Sequence, residues 1–307
     1  MKVLVLAATG CMASGLIKAL KDDPEYQLFA FTRDPESDAA KSLKEAGVTI
    51  IKGDYGDKEV IEMTFSQGFD AVFFTIYPDR TGGTTDIEQA KNVVDAAVRH
   101  GVKQLLYGSS ARIGTQENFD RVHAKLPKDS FWHNYWQHKW AIEDVVRCSG
   151  LAYTIIKPPI FVQNLVRDGY VERIYPDLPT KHILKDAMGP DSPAWWADGS
   201  DVGKFAAAAI RQPERFKNKE FPFGAEILTV RQIVEKLRKA SGKDIKLYEW
   251  PADEWEASKT DPFLSTRHAI AETGPDPDGG KPKEFPEIEL TSIDEWLENN
   301  KAGTWLA

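Results

Sequence analysis

Tyr135 and Lys139 stand four positions apart in the run Tyr-Trp-Gln-His-Lys. On a helix, that spacing puts both side chains on one face, a single turn apart. A free phenol keeps its proton up to a pKa of about 10, and a neighbouring ammonium favours the phenolate. The pair is therefore suited to giving or taking a proton near neutral pH. Ser110 lies 25 residues before Tyr135, at the end of an apolar run. Its hydroxyl could polarise a carbonyl and stabilise developing oxyanion character, with Ser109 the substitute if the strand end shifts by one residue. A carbonyl so polarised still needs a source of the group added to it.

The opening of the chain suggests the source. Lys2 to Leu6 is a short apolar run suited to a strand buried on both faces, and Leu16 to Leu20 has helical spacing. Between them lies the small-residue turn Ala7 to Gly15. Such a turn lets backbone approach a pyrophosphate, whose charge meets free N–H groups at the positive end of a helix. Aligned on Gly10, the G-x-x-G-x-x-G pattern reads Ala7-x-x-Gly10-x-x-Ala13, and alanine suffices where φ is negative. Thr9, Gly10, Cys11 and Met12 are the expected pyrophosphate contacts. Arg33 follows the second strand, where an acid would read a free ribose and a guanidinium can pair with a 2′-phosphate. It points to NADP(H), with Asp34 beside it as a competing charge. Asp54 and Tyr55 follow the third strand and are candidates for the adenine end. Thr75, Ile76 and Tyr77 close the fourth and are expected to border the nicotinamide ribose. Strand-end packing is the alternative for all five.

These residues fall on alternating elements. Strands are expected at Gln27 to Thr32, Val48 to Lys52, Ala71 to Tyr77, Gln104 to Tyr107 and Ala152 to Lys157. Helices are expected at Ala39 to Ala46, Lys58 to Ser66 and Trp132 to Cys148, with a long one capped by Asp86 and ending at His100. A polar loop spans Asp79 to Thr85. Six βα units imply an α/β, Rossmann-type doubly wound parallel sheet over residues 1–159. Residues 160–307 read as a smaller C-terminal substrate lobe, some of whose segments return to the sheet. There Asp201 is expected to cap a helix to Arg211, and Glu226 to Val230 and Ile245 to Glu249 are expected strands. Arg231 to Ser241 and Ser292 to Asn299 read as helices. Ligands bind outside the carboxyl ends of such strands, so the lobe is expected to roof that crevice.

Composition narrows the function. The net charge of −8 and the lack of a basic block argue against direct nucleic-acid binding. No apolar run approaches a membrane span of about 20 residues, and the opening reads as a strand rather than a leader. Two cysteines give neither a disulfide framework nor metal spacing, so no metal is expected and a cytoplasmic setting is. His133 and His138 read as helix-surface or pocket-lining residues.

Several motifs together make the chain resemble the NmrA-like group of atypical short-chain dehydrogenase/reductases. They are Ala-Ala-Thr-Gly at 7–10, Thr-Arg-Asp-Pro at 32–35, Gly-Val-Thr-Ile-Ile-Lys-Gly-Asp at 47–54 and Lys139. Gly-Leu-Ala-Tyr-Thr-Ile-Ile-Lys-Pro-Pro at 150–159, Phe161 with Asn164, and Asp-Val-Gly-Lys at 201–204 complete the set. The resemblance covers most of the chain and implies bound NAD(P), with Pro158 among its contacts. It also implies either a reductase, possible in secondary metabolism, or a redox sensor without turnover. For a reductase it casts Tyr135 as proton donor and Lys139 as the group that lowers the Tyr pKa and holds the nicotinamide ribose. The interval from Ser110 to Tyr135 is similar to that of extended reductases. In the NmrA-like group the Lys often stands without this Tyr, which leaves a packing role open for Tyr135.

Trp132, Trp136 and Trp140 form a stripe on the same helix, at least partly as core. Phe161, Tyr170, Tyr175, Trp195 and Trp196 fall in the expected roof. We take Trp136, Phe161, Asn164, Trp195 and Trp196 as substrate candidates, suited to a bulky, planar, uncharged aromatic or polycyclic molecule. A redox-neutral cyclase or isomerase on the same scaffold is the third reading. The chain is expected to act as a monomer or homodimer.

Overall fold

The apolar opening Lys2–Leu6 forms β1, whose last four residues are fully buried. It pairs in parallel with β2 (Gln27–Thr32) on one side and β4 (Ala71–Phe74) on the other. β3 (Thr49–Lys52) extends the sheet beyond β2, and β5 (Gln104–Gly108) and β6 (Ala152–Lys157) extend it beyond β4, all in parallel. The edge strand Lys219–Pro222 completes seven strands beside β6. Among β1–β6 the order is 3-2-1-4-5-6, so the chain reverses direction across the sheet between β1 and β4. Such a reversal is where doubly wound sheets bind their ligands, outside the carboxyl ends of the strands. The computed structural model describes residues 1–79, 81, 83–113, 115–261 and 264–307.

The crossovers are helices because parallel neighbours cannot be joined by a tight turn. They are α1 (Cys11–Leu20), α2 (Asp38–Glu45), α3 (Lys58–Phe65), α4 (Thr85–Arg99) and, after α5 (Gln116–His123), α6 (Phe131–Arg147). Ser37 and Asp57 cap α2 and α3 through side-chain oxygens. Leu4, Leu6, Phe31, Phe74, Tyr107 and Ile155 are among the buried core of this sheet. Helix α1 packs on the helix Asp201–Arg211 through two glycines. A Cβ on Gly15 would lie 2.0 Å from the Ser200 oxygen, and one on Gly203 would lie 2.0 Å from the Leu16 nitrogen.

Two compact units divide the chain. The first is Met1–Ser110, Gln137–Lys157 and Ser200–Phe221, and it contains the sheet. The second is Ala111–Trp136, Pro158–Gly199 and Pro222–Ala307, and the division falls inside α6. The second unit has its own three-stranded sheet, Glu226–Thr229, Pro193–Ala197 and Ile160–Phe161, the outer pair antiparallel and parallel to the central strand respectively. Its core gathers Val162, Leu178, Trp196, Ile233 and Leu237, among others.

Four local expectations are corrected. β4 stops at Phe74, not Tyr77, because side chains take over the next carbonyls: Tyr55 donates to Thr75 O and Lys139 to Ile76 O. Asp86 is inside the first turn of α4 and Thr84 holds the cap position; Asp86 is drawn inward onto His138. Ser200 likewise precedes the helix that Asp201 was expected to cap, and Asp201 is buried and paired with Lys204 at 2.8 Å. The strand expected at Ile245 to Glu249 is only Lys246–Leu247. Of the loop Asp79 to Thr85, Arg80 and Gly82 lie outside the described residues.

Candidate active site

The turn after β1 is built for close approach. Gly10 N donates to Ala7 O at 2.9 Å, and Gly10 is the N-cap residue of α1 without a side-chain cap. No acid lies in the first turn of that ten-residue helix. The N–H groups of Met12 and Ala13 have no hydrogen-bond partner among the described residues, which is the donor arrangement a pyrophosphate needs. Ala7 has a φ of +53°, not the negative value expected for an alanine at this position. The turn demands a left-handed residue and alanine supplies it at a cost of roughly 1–2 kcal/mol.

Beyond β2 and β3, Arg33, Lys52, Gly53, Asp54, Asp57 and Val60 line an open cleft of about 350 Å³. The Arg33 guanidinium is 83% exposed, and its nearest carboxylate is that of Asp54 at 4.0 Å. Asp34, the competitor expected from sequence, instead accepts the Glu36 N–H at 3.0 Å. Lys52 is a second cation in the cleft that the sequence reading missed. Its place at the last position of β3, register partner of Thr32, was the available signal. Of the other adenine-side and ribose-side candidates, Asp54 accepts from Gly56 N, and Tyr55 is half-buried, stacked on Phe31 at 5.9 Å. Burial pushes the Tyr55 phenol well above its usual range. Thr75 Oγ1 donates to Gly108 O at 2.9 Å, tying β4 to β5, and Tyr77 is exposed.

Lys139 is buried within the first unit. Its Nζ donates to Ile76 O and to the Tyr107 hydroxyl, both at 3.2 Å. Burial pulls its ammonium down to about 8, against the opposing pull of Asp86 and Glu143. Tyr107 is thus a phenol partner of Lys139 that the four-residue spacing did not reveal. It stacks on Phe74, 4.8 Å between ring centroids.

One turn further along α6, Glu143 anchors a buried charge network. Ser109 Oγ donates to it at 2.6 Å and Lys157 Nζ at 2.9 Å. Arg147 joins Glu143 to Glu220, and Lys157 reaches Glu220 at 3.0 Å. Burial raises the Glu143 carboxyl. Burial also works against Glu220, but Arg147 and Lys157 outweigh it and bring that carboxyl down to about 2. Ser109 is therefore engaged inward, while Ser110 is the partly exposed member of the pair at the end of β5.

The remaining candidates belong to the second unit. Tyr135 sits edge-on to Trp132 (5.3 Å) and Trp136 (5.7 Å) and stacks with Phe131 (6.2 Å). Trp136 is buried, and its indole N–H has no hydrogen-bond partner among the described residues. Along Pro193–Ala197, alternation turns Trp196 into the core, where its indole donates to Leu228 O. Trp195 stays half-buried, donates to Asp276 O and rests against Gly224, Gly279 and Gly280. Phe161 pairs with Ala197 in the small sheet, Asn164 is half-buried, and Pro158 O accepts from Ala111 N at 2.8 Å. Among the described residues no group of three or more metal-ligating side chains occurs, and no helix is long and apolar enough to cross a membrane.

The strand order with its switch point and the uncapped α1 terminus define a Rossmann-type dinucleotide-binding architecture. A model of the NmrA-like family matches residues 1–263, and the chain belongs to that family. An NmrA-like family domain-containing protein of Dictyostelium discoideum is 27% identical over 250 residues, 80% of this chain and 78% of that protein. The NmrA-like oxidoreductase FrzB of Cladobotryum sp. is 24% identical over 273 residues, 83% and 77% of the two chains. Solved structures with the same fold include Citrobacter sp. triphenylmethane reductase with NADP(H) (TM-score 0.71, 20% identity, 97% of this chain and 99% of that one). The Escherichia coli quinone oxidoreductase QOR2 with NADPH gives the same values. NmrA, a negative transcriptional regulator, with NADP gives 0.71 at 17% identity over 97% and 94%.

Proposed function

We propose that the protein is an NADPH-dependent oxidoreductase acting on a bulky, planar, uncharged aromatic acceptor. The observation that carries the reading is the pairing of an uncapped α1 terminus with the Arg33–Lys52 cleft in one unit. Two cations there suit a 2′-phosphate, and backbone N–H groups at Met12 and Ala13, with Thr9 to Cys11 around them, suit a pyrophosphate. Asp54, Thr75, Tyr77 and Pro158 complete the proposed cofactor contacts, with Tyr55 backing them. When bound, the reduced nicotinamide supplies hydride. Lys139 holds the ribose by its ammonium, Ser110 hydrogen-bonds the acceptor oxygen, and Tyr135 gives it a proton. Trp136, Phe161, Asn164 and Trp195 are the proposed substrate contacts, with Trp196 supporting them from the core. Relatives named as oxidoreductases, and neighbours named for reducing triphenylmethanes and quinones, support the class of acceptor. The partner is a small molecule rather than nucleic acid, the setting cytoplasmic.

The test follows NADPH absorbance and product formation together across a panel of quinones and triarylmethane dyes. Stoichiometric loss of both reactants is expected; failure to bind NADPH overturns the proposal. A second reading, an NADP(H)-binding regulator with a protein partner, is favoured by one observation: Lys139 donates to the phenol of Tyr107, and Tyr135 stands in an aromatic cluster. It predicts cofactor binding without turnover of any acceptor.

A further inference from the structure

His138 is the neighbour of Lys139 on α6, read from sequence as a helix-surface or pocket-lining residue. In the first unit its Nδ1 lies 3.0 and 3.2 Å from the two oxygens of Asp86. Asp86 is only 4% exposed and also accepts the Asp79 N–H at 3.4 Å. A buried carboxylate on Nδ1 fixes that nitrogen as the N–H, which leaves Nε2 as the proton-exchanging atom. His138 Nε2 has no hydrogen bond among the described residues, and the side chain keeps 13% exposure. An acid–base group fixed by an orienting carboxylate, with its other nitrogen open, is the geometry of a proton carrier rather than a packing contact.

Its location agrees. Asp86 stands in the first turn of α4, just past the carboxyl end of β4, and Lys139 donates to Ile76 O at that same end. Dyad and lysine thus share one sheet edge. Resting on the reductase reading above but moving its proton source from Tyr135, we propose that the Asp86–His138 dyad is the proton-donating pair for the reduction, acting through His138 Nε2.

The balance is simple. Hydride from NADPH adds to the carbonyl or quinone acceptor and leaves NADP⁺, and the oxygen gains the electron pair of the broken π bond. The imidazolium releases one proton from Nε2 to that oxygen and becomes neutral imidazole, which water reprotonates. Asp86 keeps its charge throughout and stabilises the imidazolium. Among the described residues the charged group in contact with the ring is Asp86 of α4; Asp79, whose N–H donates to Asp86, and Lys139, next on the same helix, are its charged neighbours. The Asp79 carboxylate is held by Thr81 and Thr85.

The experiment compares wild type, His138→Asn and Asp86→Asn, using 1,4-naphthoquinone as acceptor and ¹⁵N-histidine NMR of the protein without acceptor. Asparagine keeps a donor for Asp86 but carries no transferable proton. His138→Asn is expected to lower kcat by about 10²–10³ with NADPH affinity unchanged. Asp86→Asn is expected to lower kcat by about tenfold or more with NADPH affinity unchanged, because the ring loses its orienting carboxylate. Wild-type NMR is expected to show Nδ1–H as the neutral tautomer. Full turnover in His138→Asn overturns the dyad alone, as does an unchanged kcat in Asp86→Asn. A wild type that binds NADPH yet oxidises it with no acceptor overturns the reductase reading, and the donor role falls with it.

Discussion

Arg33 is the residue whose contribution is simplest to isolate, because it is largely exposed and its only close carboxylate among the described residues is 4.0 Å away. Replacing it should leave the fold untouched. If it pairs with a 2′-phosphate, Arg33→Ala costs about 1.5–3 kcal/mol, roughly ten- to a hundredfold in NADPH affinity. NADH affinity should hardly change. Calorimetric titration of both cofactors measures this, and equal preference in the wild type removes the assignment. Tyr135 and Lys139 separate by a similar comparison. Tyr135→Phe keeps the ring packing against Trp132 and Trp136 and removes only the phenol. If it donates a proton, turnover drops by about 10²–10⁴ with cofactor binding unchanged. Lys139→Met should weaken NADPH binding whether or not the protein is an enzyme. Because burial brings Lys139 down to about 8, wild-type NADPH affinity should decline as pH rises through that value, and the Met variant should lack the decline.

At the scale of elements, the α1–Asp201–Arg211 contact decides how firmly the pyrophosphate turn is held. The two helices approach at backbone distance, and only glycine at 15 and 203 permits it. A methyl on Gly203 would meet the backbone of Gly15 and Leu16, neither of which can rotate away. Gly203→Ala is therefore expected to cost about 3 kcal/mol or more and to weaken NADPH binding by displacing α1. Gly242→Ala is the control for a glycine whose Cβ would meet nothing, though its φ of +69° carries a smaller penalty of roughly 1 kcal/mol. Chemical denaturation of both variants decides the point. Comparable losses would mean that the helix contact yields more easily than its geometry implies.

For the whole molecule, acid stability is tied to the network under β6 and the edge strand. Glu220 is held at about 2 in the fold, below the ordinary 4.5. A carboxyl depressed by folding adds stability that is complete above its unfolded value and fades as pH falls through its folded one. Glu143 is shifted upward and acts with the opposite sign, so the acid limb reflects Glu220 against Glu143. Glu220→Gln should lower the urea midpoint at pH 7, since Arg147 and Lys157 lose a partner, and should flatten the limb between about pH 4.5 and 2. An unchanged slope would show that other carboxylates control it.

The sequence by itself determined the alternation of strands and helices through β6, because buried parallel strands and their crossover helices leave local signals of period and punctuation. It also located the small-residue turn and Arg33, since both follow strand ends that can be read from apolar runs. The tertiary structure alone decided which side chains meet. Lys139 and Tyr107 are 32 positions apart, and Asp86 and His138 are 52 apart. No local pattern encodes such pairs; they form where neighbouring strands and helices bring their ends together. The positive φ of Ala7 was hidden for a different reason, because alanine ordinarily signals a negative one. The short strands at 193–197 and 219–222 escaped the reading because pairing across the fold, not their own composition, holds them extended.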